Sequence, residues 1–182
     1  MKIDPKNLTL KDGTQIKLRA PRLSEAKELL DFLYHVSKET PFILAYPDDI
    51  LKRTVKSELD WVRAMNENEN AAVFVVEIDG KIAALSEVRR SGGFKSKHRG
   101  SIGISVREAY WNKGIGHILF ENMIEFAKAL GCTQMELGVD EKNARARHLY
   151  EAMGFGYDGK IPNAIFQGDG VYDDELLMSR KL

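Results

Sequence analysis

Hydrophobic positions recur along the chain with two periods, and the switches between them mark its elements. Thr14 to Arg19 alternates weakly and predicts a first strand. Ala26, Leu29, Leu30, Leu33 and Val36 follow at three-to-four spacing and predict a helix, with Ser24 as its cap. Thr40 to Asp49 carries two prolines and reads as a loop. Leu51, Val55, Leu59, Val62 and Met65 predict a second amphipathic helix, which the polar cluster Asn66 to Asn70 ends. The period then changes. Ala72 to Ile78 is an apolar, β-branched run, Asp79-Gly80 is a hairpin signal, and Lys81 to Arg90 pairs back as the return strand. Gly92-Gly93 opens a second turn region before a strand over Arg99 to Val106.

Helical spacing returns from Gly114 to Leu130, with Ile115, Ile118, Leu119, Met123, Phe126, Ala127 and Leu130 as the buried stripe and Gly131 as the C-terminal cap. Gln134 to Val139 predicts a strand, and Ala144 to Met153 a short helix closed by Gly154. Two further strand-like pieces, Phe155 to Lys160 and Val171 to Arg180, are joined through the turn-rich Gln167 to Gly170. A meander joined to one βαβ unit makes this an α/β (α+β) chain. The expectation is a mixed, mostly antiparallel central sheet of six to seven strands flanked by about four helices. No repeat, low-complexity tract or linker divides the chain, so residues 1–182 are read as one domain.

Composition removes several function classes. Lys plus Arg total 27 and Asp plus Glu total 27, so no long-range field favours nucleic acid or an anionic membrane. The longest apolar run, Ala71 to Val76, is far short of the ~20 residues that span a bilayer. The opening MKIDPKNLTL has no apolar leader, and the single cysteine, Cys132, fits a reducing compartment, so the expected location is the cytoplasm. His35, His98, His117 and His148 have no ligand spacing, and no metal is expected. The basic cluster from Arg89 to Arg99 belongs to a hairpin turn and reads as a solvated loop.

The segment VREAYWNKGIGH, Val106 to His117, joins a strand end to a helix start. Lys113, Gly114, Ile115, Gly116 and His117 bring unpaired backbone N–H groups to that helix N-terminus, and two glycines let a phosphate approach the backbone. The bland alternative is a tight turn in which the glycines only relieve strain. A Walker A loop is absent. A Rossmann fingerprint is nearly matched by Gly114, Gly116 and Leu119 with Glu136 downstream, but the third glycine is missing and too little chain remains for further βαβ units.

WNKGIG before a helix, the strand MELGV, and then DEKNARARHLYEAMGF together resemble the GCN5-related N-acetyltransferase (GNAT) superfamily. The second segment carries Asn143, Ala146, Leu149, Tyr150, Gly154 and Phe155 at the family's spacing. The family's Gln/Arg three residues before the first glycine is Trp111 here. This tryptophan looks like the branch containing ribosomal-protein and small-molecule acetyltransferases, and the tail further resembles bacterial amino-acid N-acyltransferases. The resemblance implies a GNAT-like fold, acetyl-coenzyme A as acyl donor, and an N-acetyltransferase acting by direct attack in a ternary complex. The acceptor would be a small-molecule or peptide amine, and dimers are common among such proteins.

The same resemblance assigns donor binding to Ile104, Ser105 and Val106 and to the turn Asn112, Lys113, Gly114, Ile115, Gly116 and His117. It also implies a splayed strand at Val106, whose amide polarises the thioester carbonyl. Tyr150 is expected to protonate the leaving sulfur, against the alternative of a ring packed on the sheet. Asn143 is either a helix cap or a contact of the pantetheine arm, and Arg147 either a phosphate ligand or a solvated arginine. Glu87 is the first candidate base, with Glu108 and Asp173 behind it, and an amine of depressed pKa needs none. Cys132 follows a helix C-terminus and reads as an inert buried thiol rather than a nucleophile. Two other classes stay open: a non-catalytic acyl-coenzyme A sensor and a Rossmann-type dinucleotide binder.

Overall fold

Asp79 and Gly80 both take positive φ, 49° and 73°, the backbone of a two-residue hairpin turn whose twist matches that of its strands. They join β3 (Ala71–Ile78) to β4 (Lys81–Arg90), and β5 (Arg99–Val106) pairs back along β4. The computed structural model describes residues 3–182; the first two residues of the opening decapeptide lie outside them. The remaining strands are β1 (Lys6–Thr9), β2 (Gln15–Arg19), β6 (Gln134–Asp140), β7 (Gly156–Gly168) and β8 (Val171–Lys181). All eight form one sheet in the order β1-β2-β3-β4-β5-β6-β8-β7. Every pairing is antiparallel except β5 with β6. Seven strands carry a hydrophobic signal in the sequence. The eighth, β1, reads KNLT and is mostly exposed, so no apolar pattern announces it.

The five helices are α1 (Ala26–Glu39), α2 (Pro47–Leu51), α3 (Val55–Glu67), α4 (Ile115–Ala129) and α5 (Ala144–Ala152). Three expectations change here. Ser24 does not cap α1. It lies inside a 3-10 turn, Leu23–Glu25, where the Glu25 carboxylate accepts the Arg22 amide at 2.7 Å. The expected second helix is two. Thr54 caps α3 by accepting from Ser57 N at 3.0 Å, and the Ser57 hydroxyl accepts the Thr54 amide in return. That reciprocal cap starts a new helix within the apolar repeat, and Leu51 and Val55 on either side of it are exposed. The proline-bearing loop is also shorter than expected, because Pro47 opens α2.

The sheet separates two packed layers. Leu119, Phe120, Met123 and Phe126 of α4 bury against Phe74, Val76, Ala84 and Val88 on one face. Leu29, Phe32 and Val36 of α1 with Val62 of α3 cover Val75 and Ile82 on the other. Helix α4 is the crossover between the parallel strands β5 and β6. Their ladder covers only Arg99 to Ser101 against Gln134 to Glu136, and beyond Ser101 the strands part. This parallel joint, the one such joint among the described residues, therefore opens toward the C-terminal end of β5. Among the described residues no helix is long and apolar enough to cross a membrane.

Candidate active site

Arg107 N donates to Ala83 O at 3.0 Å, which fixes the alternation along the β4–β5 pair. The amide and carbonyl of Val106 then point away from β4, into the gap left by β6. The Val106 carbonyl is taken there by the indole Nε1–H of Trp111, at 2.7 Å. The Val106 amide faces the gap. Glu39, at the end of α1, ties the same corner together: its carboxylate accepts Arg107 Nε and the Glu108 amide, each at 2.8 Å.

The gap is part of a cavity of about 810 Å³. Ile104–Val106, Asn112–His117, Asn143 and Tyr150 all line it, so the structure gathers most of the residues singled out in the sequence. Asn112 (φ 60°) and Gly114 (φ 85°) are both left-handed, and Gly114 is the N-cap of α4. That backbone turns successive amides toward one point. The two glycines serve different ends. Gly114 supplies a conformation that L side chains rarely adopt, while a Cβ on Gly116 would come within 2.6 Å of Leu149 Cδ2. Gly116 thus lets α5 pack closely on the start of α4. Lys113 pairs with Asp12 of the β1–β2 turn at 3.2 Å. Hydrogen bonds from Thr14, aided by Lys113, hold the Asp12 carboxyl down to about 2.

Tyr150 is 8% exposed, with its ring against Phe120 and Phe155 at centroid distances of 5.3 and 6.4 Å. Burial alone pushes its phenol up to about 12, so it stays protonated throughout the neutral range. Asn143 caps α5, accepting the Ala146 amide at 3.1 Å, and lines the cavity as well; the two readings of this residue are compatible.

Two expected site residues stand elsewhere. Arg147 turns away from the cavity, donating to Glu141 O at 2.9 Å and Tyr157 Oη at 3.0 Å. Arg145, two positions earlier and overlooked in the sequence, lines the cavity and lays its guanidinium 3.1 Å above the Trp111 ring centre. Glu87 does not line the cavity either; Arg89 holds its carboxylate at 2.8 Å. Of the lesser base candidates, Glu108 lies in a 3-10 turn outside the cavity lining, and Asp173 is bound by Lys142 and Gln167. Cys132 is buried beside the C-terminus of α4, and burial raises its thiol pKa, which disfavours a nucleophilic thiolate. The dinucleotide reading fails on the fold. The sheet is mostly antiparallel, and Glu136, its would-be ribose ligand, is paired with Arg99.

Comparison with known proteins bears on the family and the fold. The model of the Acetyltransferase (GNAT) family matches residues 30–155. A streptothricin acetyltransferase of Streptomyces lavendulae is 30% identical over 147 residues, covering 80% of this chain and 72% of the relative. An acetyltransferase of the GNAT family from Streptococcus pneumoniae superposes with a TM-score of 0.85 at 29% identity, covering 92% of this chain and 99% of that one. The fold also matches yncA of Salmonella typhimurium, solved with its cofactor acetyl-coenzyme A. There the TM-score is 0.78 at 19% identity, with 92% and 94% of the two chains covered.

Proposed function

The chain belongs to the acetyltransferase (GNAT) family and is an acetyl-coenzyme A-dependent N-acetyltransferase, and we propose that the gap between β5 and β6 is where its acyl transfer takes place. The observation that carries this is the parting of the two strands beyond Ser101. It leaves the Val106 amide unpaired in a cavity that also holds the glycine turn and the Tyr150 phenol.

The residues divide the work as follows. The amides of the turn from Asn112 to His117, at the positive end of the α4 macrodipole, bind the donor's pyrophosphate. Lys113 and Arg145 add charge at the same end of the cavity. The Val106 amide donates to the thioester oxygen and stabilises the negative charge that develops on it. The acceptor nitrogen attacks as the free base, the C–N bond forms and the C–S bond breaks. Tyr150 gives its proton to the departing sulfur, and the phenolate is restored by the proton that leaves the attacking nitrogen. No covalent enzyme intermediate is needed, in keeping with the buried, protonated Cys132.

The family's chemistry makes the acceptor an amine. The streptothricin relative supports a small-molecule amine over a protein, and an antibiotic amine belongs in any panel tested. The carrying experiment is thermal unfolding with and without acetyl-coenzyme A, followed by thiol release on an amine panel. A ligand at 100 times its Kd adds about 2.7 kcal/mol, several degrees of Tm for a domain of this size. A shift that Gly114→Val abolishes supports the donor site. No shift with acetyl-coenzyme A overturns it. A shift without turnover of any amine favours the non-catalytic sensor.

A further inference from the structure

Two carboxylates stand directly opposite each other on the cavity wall. Asp140 of β6 and Glu175 of β8 are partners in the antiparallel ladder, and both line the cavity. Met135, Leu137 and Val139 turn into the core beneath α4, so the alternating residues Gly138 and Asp140 face the other side, that of α1 and α3. The glycine turn opens α4 itself, so donor turn and carboxylate pair approach the gap from opposite faces of the sheet.

Like charges directly opposed weaken a sheet, so the pair calls for an explanation. Asp140 is compensated: it accepts the Lys142 amide at 2.8 Å and Gln167 Nε2 at 3.3 Å, and it is 4% exposed. Glu175 has no ion-pair partner among the described residues. Its carboxylate lies over Gly138, where an added Cβ would collide with Glu175 Oε1. The β6 backbone is thus clear of a side chain where this carboxylate rests. A second feature marks the cavity these carboxylates line as a ligand site. Tyr150, nine-tenths buried, lines the same cavity, and its phenol has no hydrogen-bond partner among the described residues. At the donor end the wall carries Lys11, Lys113 and Arg145 together with Asp12, which pairs with Lys113, and Glu121.

We propose that Glu175, supported by Asp140, binds a positive charge of the acceptor, which makes the acceptor a small aliphatic amine bearing a further cationic group at the end remote from its reactive nitrogen, and no carboxylate in that place. This rests on the acetyl-transfer reading and narrows it. A stretch of wall that presents two carboxylates, one of them without a cationic partner, suits a cationic acceptor. A carboxylate in the place of that cation would meet Glu175 and Asp140 at close range and be repelled.

The test compares three acceptors of one length at saturating acetyl-coenzyme A: 1,4-diaminobutane, 1-aminobutane and 4-aminobutanoate. The expected kcat/KM falls in that order, by about tenfold or more at each step. Glu175→Gln should cost the diamine about tenfold, through KM, and shrink its advantage over 4-aminobutanoate, with the acetyl-coenzyme A thermal shift unchanged. Asp140→Asn should move the same ratio and serves if the first variant fails to fold. Equal rates for the diamine and 4-aminobutanoate, an unchanged ratio in the variants, or no turnover of the diamine with the thermal shift intact would each overturn the inference. Loss of the thermal shift in the parent protein is a different failure, that of the acetyl-transfer reading itself.

Discussion

Arg145 lies flat over Trp111, 3.1 Å from its ring centre, and Trp111 in turn donates its indole N–H to the Val106 carbonyl. The two contacts link helix α5 to the open end of β5. The usual Gln/Arg of the family's glycine turn is a tryptophan here, and the stacked arginine brings a cation back to that position from another element. Tryptophan thus performs two tasks at once. It satisfies a carbonyl that the parted strands leave without a ladder partner, and it forms the platform on which Arg145 rests.

A double-mutant cycle tests this linkage. Arg145→Ala should weaken acetyl-coenzyme A binding about tenfold, by removing a charged contact to a phosphate. Trp111→Leu should weaken it as well, because the Val106 carbonyl loses its donor and the arginine its platform. The two losses should fall short of adding, with a coupling of about 0.5–1 kcal/mol for an exposed cation–π pair. Thermal shift titrations of the four proteins measure it, and strict additivity would show that the stack positions nothing.

Tyr150 carries the clearest kinetic prediction. Tyr150→Phe keeps the ring that packs on Phe120 and Phe155 and removes only the proton donor. Its kcat should fall about 10²-fold or more, with the acetyl-coenzyme A KM little changed. The raised phenol pKa sets the pH behaviour. A group titrating near 12 still holds its proton at pH 10, so ionisation of Tyr150 should produce no fall in kcat below about pH 10. A pH–rate profile to that limit checks the sign.

The glycines of the turn should separate by cause. Gly114→Ala forces φ near +85° on a residue with a Cβ, at a cost of about 1–2 kcal/mol, and disturbs the amides that bind the pyrophosphate. Gly116→Ala leaves the turn's dihedrals alone and pushes on Leu149 instead. The first should lose both stability and donor affinity, while the second should mainly lower stability. Melting curves with and without acetyl-coenzyme A distinguish them.

The parts of this site that could be read in advance share a physical reason, and so do the parts that could not. Strands β3, β4 and β5 are bounded by Asp79-Gly80 and Gly92-Gly93, and their apolar runs admit one reading, so their ends agree with the structure to within one residue. The glycine turn and the stretch from Asn143 to Tyr150 are each contiguous, so each is legible as a motif, and together they bring a substantial share of the cavity lining into view. Arg145 and Arg147 lie roughly 200° apart around α5, and local sequence does not say which one faces the neighbouring strand. Glu175 was invisible for a related reason. It alternates with Leu176 and Met178 on β8 as a solvent-facing residue would, and only the parting of β5 and β6 turns that face into a cavity wall. Glu58 was hidden by periodicity itself, since the expected stripe named Leu59 and the helix instead buries the glutamate beside it.

That buried glutamate makes stability depend on pH in a direction that can be worked out. Glu58 is 3% exposed, and its nearest cation, Arg53, is 3.8 Å away, too far for a good hydrogen bond. Burial raises its carboxyl above the usual carboxylate range, and Arg53 only partly offsets this. The folded chain therefore holds the Glu58 proton more tightly than the unfolded chain does. This contribution to stability is complete below the unfolded pKa and is lost as pH rises through the raised folded value. Above that value the fold carries a poorly paired, desolvated charge. Glu58→Gln keeps the shape and removes the charge, so it should leave Tm nearly unchanged at pH 4. At pH 7.5 it should raise Tm by about 2–4 °C for each kcal/mol recovered. Circular dichroism melts of the parent and the variant at the two pH values decide it. Equal Tm differences at both would mean that Glu58 is neutral or fully paired in the folded state.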